Sequence, residues 1–345
     1  MKIGTLFAPI AAAALVLSGC SVSTGSEDDG PSGDAVIPAS GTVAEISQLV
    51  HDSMEGVQVG WVPVGMGIPL TENWSSQLKT GLEQLGAELI MRDPNWDNAK
   101  MPDIVDGLIN EDVDVLVLHN PDVGVLTSQI QRAKDEGIYV ITLNMLPSQQ
   151  SDAFVGGDFQ AMGAALAERV VKDCSASGKS KIATIDGFGT DGASVAARDG
   201  WTSVFKDSDL EVVSEQSANY LPAEANKIST TLLQQHPDLC AIVGNFDTMM
   251  LGASQAVAQA DKKGEVGVYS IDASAPACEN IKNGTLTATV SYSVPAMGGT
   301  VVSLIELLIQ SGKTPGETRS AIFMPYQIID ASNVDDIALA CYSNQ

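Results

Sequence analysis

The sequence predicts an α/β protein built from two doubly wound parallel-sheet lobes in tandem, and three observations predict it. From residue 57, short runs of Val, Ile and Leu alternate with segments whose apolar residues recur at helical spacing. The alternation is then repeated: expected strands begin at 57, 87, 113 and 138 and again at 181, 210, 240 and 265, offsets of 123–127 residues. Finally, 345 residues exceed one ordinary core, while 44% hydrophobic content suffices to bury two. So long an offset marks two copies of one architecture rather than a solenoid, whose units run to roughly 20–50 residues. Strands separated by helices imply parallel sheets with right-handed crossovers.

The chain opens with Lys2, a short apolar run and a small-residue exit, the pattern of an export signal over 1–19. At its end, Leu17-Ser18-Gly19 together with the following Cys20 resemble the bacterial lipobox. That resemblance implies cleavage before Cys20 and diacylglyceryl modification of it; two acyl chains give a stable anchor where one is marginal. Residues 20–55 are expected to be the lipidated cysteine and a flexible tether, Ser-, Gly- and Asp-rich over 21–41 and without periodicity. No Lys or Arg lies between Lys2 and Lys79, so the tether has no charge to hold it on anionic lipid. Beyond the leader, no apolar run is expected to span a membrane.

The first copy has strands at 57–64, 87–92, 113–118 and 138–143. After the first comes a helix with Trp74, Leu78, Leu82 and Leu85 on one face. Pro102 sits near the start of the next helix, Asp122 can cap a third, and Glu136-Gly137 ends it. The second copy has strands at 181–186, 210–215, 240–244 and 265–271, with helices at 194–206, 223–235 and 248–260. In such sheets ligands bind beyond the carboxyl ends of the strands. There the sequence turns polar or aromatic, at His119-Asn120, Asn144-Met145, 187–191, Asn245-Phe246-Asp247, Asp272 and Tyr292. Facing lobes would gather these into one cleft.

A net charge of −25 excludes nucleic acid as a partner, since phosphate binding needs clustered Lys and Arg. Four cysteines remain after Cys20, at 174, 240, 278 and 341, too widely spaced for a zinc or thioredoxin motif. In an exported chain they suggest two disulfides. Three pairings are open; Cys174 and Cys240 each precede an expected strand of the same lobe, which favours 174–240 with 278–341. His51, His119 and His236 show no metal-ligand spacing. No metal or cofactor is expected.

Several segments together, in order and spacing, resemble the type I sugar-binding proteins of ABC importers, similar to ribose-binding protein. They are Leu85-Gly86, Gly137-Ile-Tyr-Val-Ile-Thr-Leu143, Gly156-Gly157-Asp158, Leu232-Leu-Gln-Gln-His-Pro-Asp238, Asp247-Thr-Met-Met-Leu-Gly-Ala253 and Ser270-Ile-Asp272. The resemblance covers roughly residues 57–330. It implies a type I periplasmic-binding-protein fold, two lobes joined by three hinge strands near Gly157-Asp158, Tyr292-Ser293 and 325–328. The lobes would then be 56–157 with 293–326, and 158–292 with 327–345.

Carrying the ribose-type site over gives a partial match. The acid is kept as Asp272, the second-lobe aromatic as Tyr220, and the lobe-two Arg as Arg198, one residue closer to its Gly-aromatic than usual. The Asn-x-aromatic-aromatic of the first lobe becomes Ile68-Pro-Leu-Thr71, the Asp-Arg pair becomes Asn144-Met145, an Asn becomes Phe246 and the late Gln becomes Tyr292. The expected ligand set is thus Ile68, Leu70, Thr71, Asn144, Met145, Arg198, Tyr220, Phe246, Asp272 and Tyr292. Charges and amides have given way to apolar and aromatic groups, which points away from ribose toward a deoxysugar, a smaller polyol or a non-sugar compound.

Plainer roles compete for several of these residues. Asp247 and Asp272 precede helices, where Asp most often caps. Arg198 could pair with a neighbouring acid, Phe246 and Tyr292 could be hinge or core, and His119 could be a hydrogen-bonded structural residue. Trp74 and Trp201 are read as core. A rival function rests on Gly187-Phe-Gly-Thr-Asp-Gly192, a literal Gly-x-Gly-x-x-Gly between strand and helix, with Glu211 and Glu215 about twenty residues on. It would make the chain an exported nucleotide-dependent enzyme, against which Asp191 places a negative charge beside the pyrophosphate. A receptor for a non-sugar nutrient or a signalling molecule is a further alternative. The reading taken forward is a non-enzymatic, monomeric lipoprotein on the outer face of the cell membrane or in the periplasm. It would capture a sugar or polyol for separate permease and ATPase subunits.

Overall fold

The computed structural model describes residues 41–336 and 341–342. The export signal, Cys20, most of the expected tether, and residues 337–340 and 343–345 lie outside the described residues. Within the segment expected as tether, Val43–Met54 forms a helix, α1. Thr42 and Glu45 close a reciprocal capping box there, the Glu45 amide reaching Thr42 Oγ1 at 3.2 Å and the Thr42 amide reaching the Glu45 carboxylate at 2.8 Å. Val43, Ile46, Leu49, Val50 and Met54 recur there at helical spacing, a signal that the reading of 20–55 as one tether passed over; Met54 is its buried residue.

The first lobe runs β1 (Gln58–Val62), α2 (Pro69–Gln84), β2 (Glu88–Met91), α3 (Met101–Asn110), β3 (Val115–Leu118), α4 (Thr127–Asp135), β4 (Tyr139–Leu143) and β5 (Ala153–Gly157). The second runs α5 (Phe159–Ser177), β6 (Lys181–Asp186), α6 (Gly192–Phe205), β7 (Glu211–Ser217), α7 (Pro222–Gln235), β8 (Leu239–Gly244), α8 (Asp247–Gln259), β9 (Gly267–Ile271), α9 (Ala275–Lys282) and β10 (Ala288–Ser291). Then α10 (Val294–Ser311) and β11 (Ser320–Met324) return to the first lobe, and β12 (Gln327–Asp330) to the second.

The two sheets have matching orders, β11-β5-β4-β3-β1-β2 and β12-β10-β9-β8-β6-β7. All described pairings are parallel except β10 with β12, which runs antiparallel. Both faces of the first sheet are covered: Val115 and Val117 of β3 join one core, Leu116 and Leu118 the other. This is why its strands read as unbroken apolar runs rather than alternating ones. The chain crosses between sheets after Gly157, after Ser291 and between Met324 and Gln327. At the second crossing Ser293 adopts a left-handed backbone, φ 57°.

Among the described residues, α10 is long and apolar enough by length and composition to cross a membrane, contrary to the expectation that no such run follows the leader. Its apolarity has a local cause: Met297, Gly298, Val301 and Ile305 are buried, and the helix packs against α2, with Gly298 beside Gln77 and Val302 beside Gly81. Trp74 Nε1 of α2 donates to the Val294 carbonyl at its start, 3.2 Å away. Disulfides join Cys174 of α5 to Cys240 of β8, and Cys278 of α9 to Cys341. Each closes a loop of more than sixty residues, which by chain entropy stabilises the fold by about 4 kcal/mol.

Candidate functional site

Strand order reverses between β1 and β3 in one sheet and between β6 and β8 in the other, so each lobe opens a crevice at those carboxyl ends. A cavity lies between the two crevices. The first lobe supplies Val64 after β1, Ile68 and Leu70 at the start of α2, Trp96 from the β2–α3 connection, His119 after β3, and Asn144 with Met145 after β4. The second supplies Ala193 of α6, Tyr220 after β7, Asn245 and Phe246 after β8, and Asp272 after β9. Phe159, at the first crossing, closes the base. The cavity volume is only about 20 Å³. The walls are nearly in contact, so the lobes must part before a ring-sized molecule can enter.

Of the ten residues expected from the sequence, seven line this cavity: Ile68, Leu70, Asn144, Met145, Tyr220, Phe246 and Asp272. Three do not. Thr71 is fully buried and its hydroxyl turns back toward the Ile68 carbonyl. Arg198 is held by Asp186, Nε to Oδ2 at 3.0 Å, and by the Gly189 carbonyl, with its side chain one-third exposed. The acid at the end of β6 outcompetes the cleft for this guanidinium, because Arg198 lies on the second turn of the helix that follows the same strand. Tyr292 is buried behind the wall, where its hydroxyl donates to Asn144 Oδ1 at 3.1 Å and its ring meets Phe159 edge-on.

Four lining residues have left-handed or otherwise positive φ: Trp96 at 64°, Asn144 at 66°, Tyr220 at 61° and Asp272 at 116°. Such strain persists only where the surroundings over-determine it, and it concentrates at functional sites. Trp96 is held by its amide to the Val64 carbonyl and by Nε1 to the Met66 carbonyl, both 3.1 Å. It supplies the first lobe with an aromatic wall where Ile68-Pro-Leu-Thr71 has none. No periodicity marks it, since it sits in a loop.

The second-lobe wall is built on a buried network. Asp191 caps α6, accepting from the Ser194 amide at 2.7 Å, and its other oxygen accepts from Ser194 Oγ and Tyr220 OH, both 2.8 Å. Asn245 donates to Ser194 Oγ at 3.0 Å and accepts from the Gly187 amide at 3.0 Å. Burial pushes the Asp191 carboxyl up to about 6 in spite of these donors. The network fixes the Tyr220 ring, which meets Phe188 and Phe246 edge-on with centroids 5.2 and 5.3 Å away.

This arrangement also accounts for the glycine-rich loop. A Cβ on Gly187 would fall 2.0 Å from the Tyr220 ring, and one on Gly192 would fall 2.6 Å from the Leu146 carbonyl across the cleft. Both glycines make room for protein atoms. The first-turn amides of α6 that a pyrophosphate would use already face Asp191.

Two groups in the cavity keep polar atoms without a hydrogen-bond partner. Asp272 is 2% exposed and its Oδ1 accepts no hydrogen bond. Burial raises its carboxyl well above the usual range, the nearby Asp247 raises it further, and Tyr292 partly relieves it. It is not an N-cap; α9 starts after Ser274, while the Asp247 carboxylate accepts from the Ser274 amide at 2.5 Å. His119 is 1% exposed, neither ring nitrogen is hydrogen-bonded, and burial holds its ring neutral, with a value pushed down to about 3. The sequence placed His119 at the cleft but gave it a hydrogen-bonded structural role, which the structure does not show.

The profile described as Periplasmic binding protein domain matches residues 59–314, about three quarters of the chain. The chain belongs to that family. Among its relatives, the D-allose-binding periplasmic protein of Escherichia coli K12 is 32% identical over 197 residues, 54% of this chain. The match spans 63% of that relative's length, just under two thirds. The ribose import binding protein RbsB of Bacillus subtilis 168 is 26% identical over 264 residues, 75% of this chain and 85% of its own. A solute binding protein of Bacillus halodurans C-125 with bound myo-inositol superposes with a TM-score of 0.73 at 25% identity, covering 82% of this chain and 97% of that one. One from Mycobacterium smegmatis with bound glycerol does so at 0.75 and 24%, covering 84% and 99%, a likeness of fold. As a periplasmic binding protein, the chain has its cavity where both doubly wound sheets of this two-lobed fold direct their strand ends.

Proposed function

We propose that this periplasmic binding protein is the extracytoplasmic solute receptor of an ABC importer and captures a sugar or polyol by closure of its lobes. The observation that carries the reading is the cavity shared by both sheets' carboxyl ends, with the free Oδ1 of Asp272 among apolar and aromatic walls. A carboxylate takes hydroxyl protons in hydrogen bonds, and flat apolar walls take the C–H faces of a ring. Only a closed cleft offers both walls at once, so the ligand favours the closed form. The relatives' names, for D-allose, ribose and D-xylose, support this class of ligand.

The finer parts of the reading follow from the same picture. Cys20 carries the lipid anchor and the segment after it lets the lobes reach separate permease and ATPase subunits. The receptor works as a monomer and makes or breaks no bond. The nucleotide-enzyme alternative loses support from the filled positions around Gly187 and Gly192.

A thermal-shift screen with D-allose, D-ribose, D-xylose, D-fucose, myo-inositol, glycerol and NAD(H) tests the reading. Ligand at 100 times its Kd adds about 2.7 kcal/mol, roughly 2–4 °C per kcal/mol for a domain of this size. A rise with a sugar or polyol and none with NAD(H) is the expected outcome; a rise with NAD(H) alone overturns it.

A further inference from the structure

His119 directly follows β3, and its amide continues the ladder to the Val62 carbonyl at 3.0 Å, so its ring is delivered into the cavity by a rigid strand. The Trp74 indole meets it edge-on at 5.2 Å. A buried polar group without a partner destabilises the fold, and an apolar side chain would fill this place at no such cost. Across the cavity, on the other lobe, Asp272 Oδ1 is in the same condition. Two orphaned polar groups, one per lobe and facing one cavity, are complementary to a molecule that enters between them.

We propose that His119 is a specificity-determining ligand contact, pairing with one hydroxyl of the ligand from the first lobe while Asp272 takes another from the second. The inference deepens the receptor reading above and rests on it. A neutral imidazole offers one donor and one acceptor, and the Asp272 carboxyl offers acceptors and, when it holds a proton, one donor. The ligand therefore carries at least two hydroxyls, one of them able to donate. It is also not an anion: no Lys or Arg is among the residues lining the cavity, and an unpaired negative charge would be expensive to bury there. The class is a small neutral polyol or sugar with an apolar face for Trp96, Phe159 and Phe246. An analogue lacking the hydroxyl that meets His119 leaves the imidazole unpaired again, and so is rejected far more strongly than one differing by a methyl group.

The chain has three histidines, and His51 in α1 and His236 after α7 serve as internal references. Histidine-specific 15N labelling of the protein, titrated with myo-inositol, D-fucose, D-ribose, D-allose and glycerol, reads the contact directly. With whichever of these binds, the His119 ring nitrogens are expected to shift while those of His51 and His236 stay. His119→Phe is expected to weaken binding at least tenfold without lowering the ligand-free melting temperature, because no intramolecular hydrogen bond is lost. His119→Gln, which keeps a donor and an acceptor, should recover part of the affinity. Binding of a panel member with the His119 signals unmoved overturns this inference alone, as does a His119→Phe protein that melts lower yet binds normally. Failure of the wild-type protein to bind any of the five overturns the receptor reading and this inference with it.

Discussion

Gly192 is where closure of the cleft can be tested with one methyl group. It opens α6 on the second lobe and faces Leu146, in the β4–β5 connection of the first. A Cβ there would lie 2.6 Å from the Leu146 carbonyl oxygen and 2.9 Å from its amide nitrogen. Both are backbone atoms, so no rotamer change relieves the contact. Nearby, the Val123 amide donates to the Thr190 carbonyl at 3.1 Å, a second backbone approach across the same gap. Overpacking of this kind costs about 1–3 kcal/mol. Because the crowding exists only when the lobes are together, Gly192→Ala should weaken ligand binding by roughly 5- to 150-fold. The backbone at Gly192 needs no positive φ, and alanine favours a helix over glycine by about 1 kcal/mol, so the ligand-free protein should melt no lower than wild type. Calorimetric titration, small-angle scattering with and without ligand, and ligand-free melting separate the two effects. Gly189→Ala is the control, since its nearest neighbour would be Arg198 Nη2 at 3.9 Å. A Gly192→Ala protein that binds and compacts like wild type would refute the claim that this approach belongs to the bound form.

Two further outcomes are expected from the buried acids. Asp272→Asn should lose about 10- to 100-fold in affinity, the worth of hydrogen bonds to a charged acceptor, while the ligand-free protein melts no lower because an amide needs less desolvation. Unchanged affinity by calorimetry would remove Asp272 from the site. Asp191 has a folded value near 6 against 3.8 free, so between these the native state holds a proton that the unfolded state has released. Its contribution is present in full below 3.8 and lost as pH rises through 6. Acidifying from pH 7 to 5 should stabilise wild type relative to Asp191→Asn by about 1 kcal/mol, read from denaturant melts at both pH values. Burial raises Asp247 and Asp272 as well, which adds to the trend in both proteins. A constant difference between the two proteins would show that Asp191 is ionised throughout this range.

The tandem lobes were legible because their signals are local. Strands at 113–118 and 138–143 read as apolar runs since both faces of the first sheet are covered, and the 123–127-residue offset repeats a sheet order that recurs in space. The site was legible in part. Asn144, Tyr220, Phe246 and Asp272 could be placed at a cleft from their positions after strands. Trp96 escaped because its loop takes a left-handed backbone that no propensity favours for tryptophan. Arg198 was misplaced because its partner Asp186 ends the preceding strand, and a near carboxylate wins over a distant ligand site. The helix at Val43–Met54 was passed over because it follows directly on the Ser-, Gly- and Asp-rich stretch, although its apolar residues are at helical spacing and a capping box starts it.

By itself, then, the sequence determined the α/β alternation, its duplication and the strand ends at which chemistry should be sought. These follow from side-chain periodicity, which a chain carries wherever it goes. The tertiary structure decided which of those candidates share a cavity and which of their polar atoms remain unspent. Asp191 and Asp272 are the same residue type in similar places after strands of one lobe, yet Asp191 is saturated by Ser194 and Tyr220 while Asp272 keeps a free oxygen. His119 likewise keeps both nitrogens free. The physical reason is that a hydrogen bond is settled between partners, and those partners are brought together only by the fold.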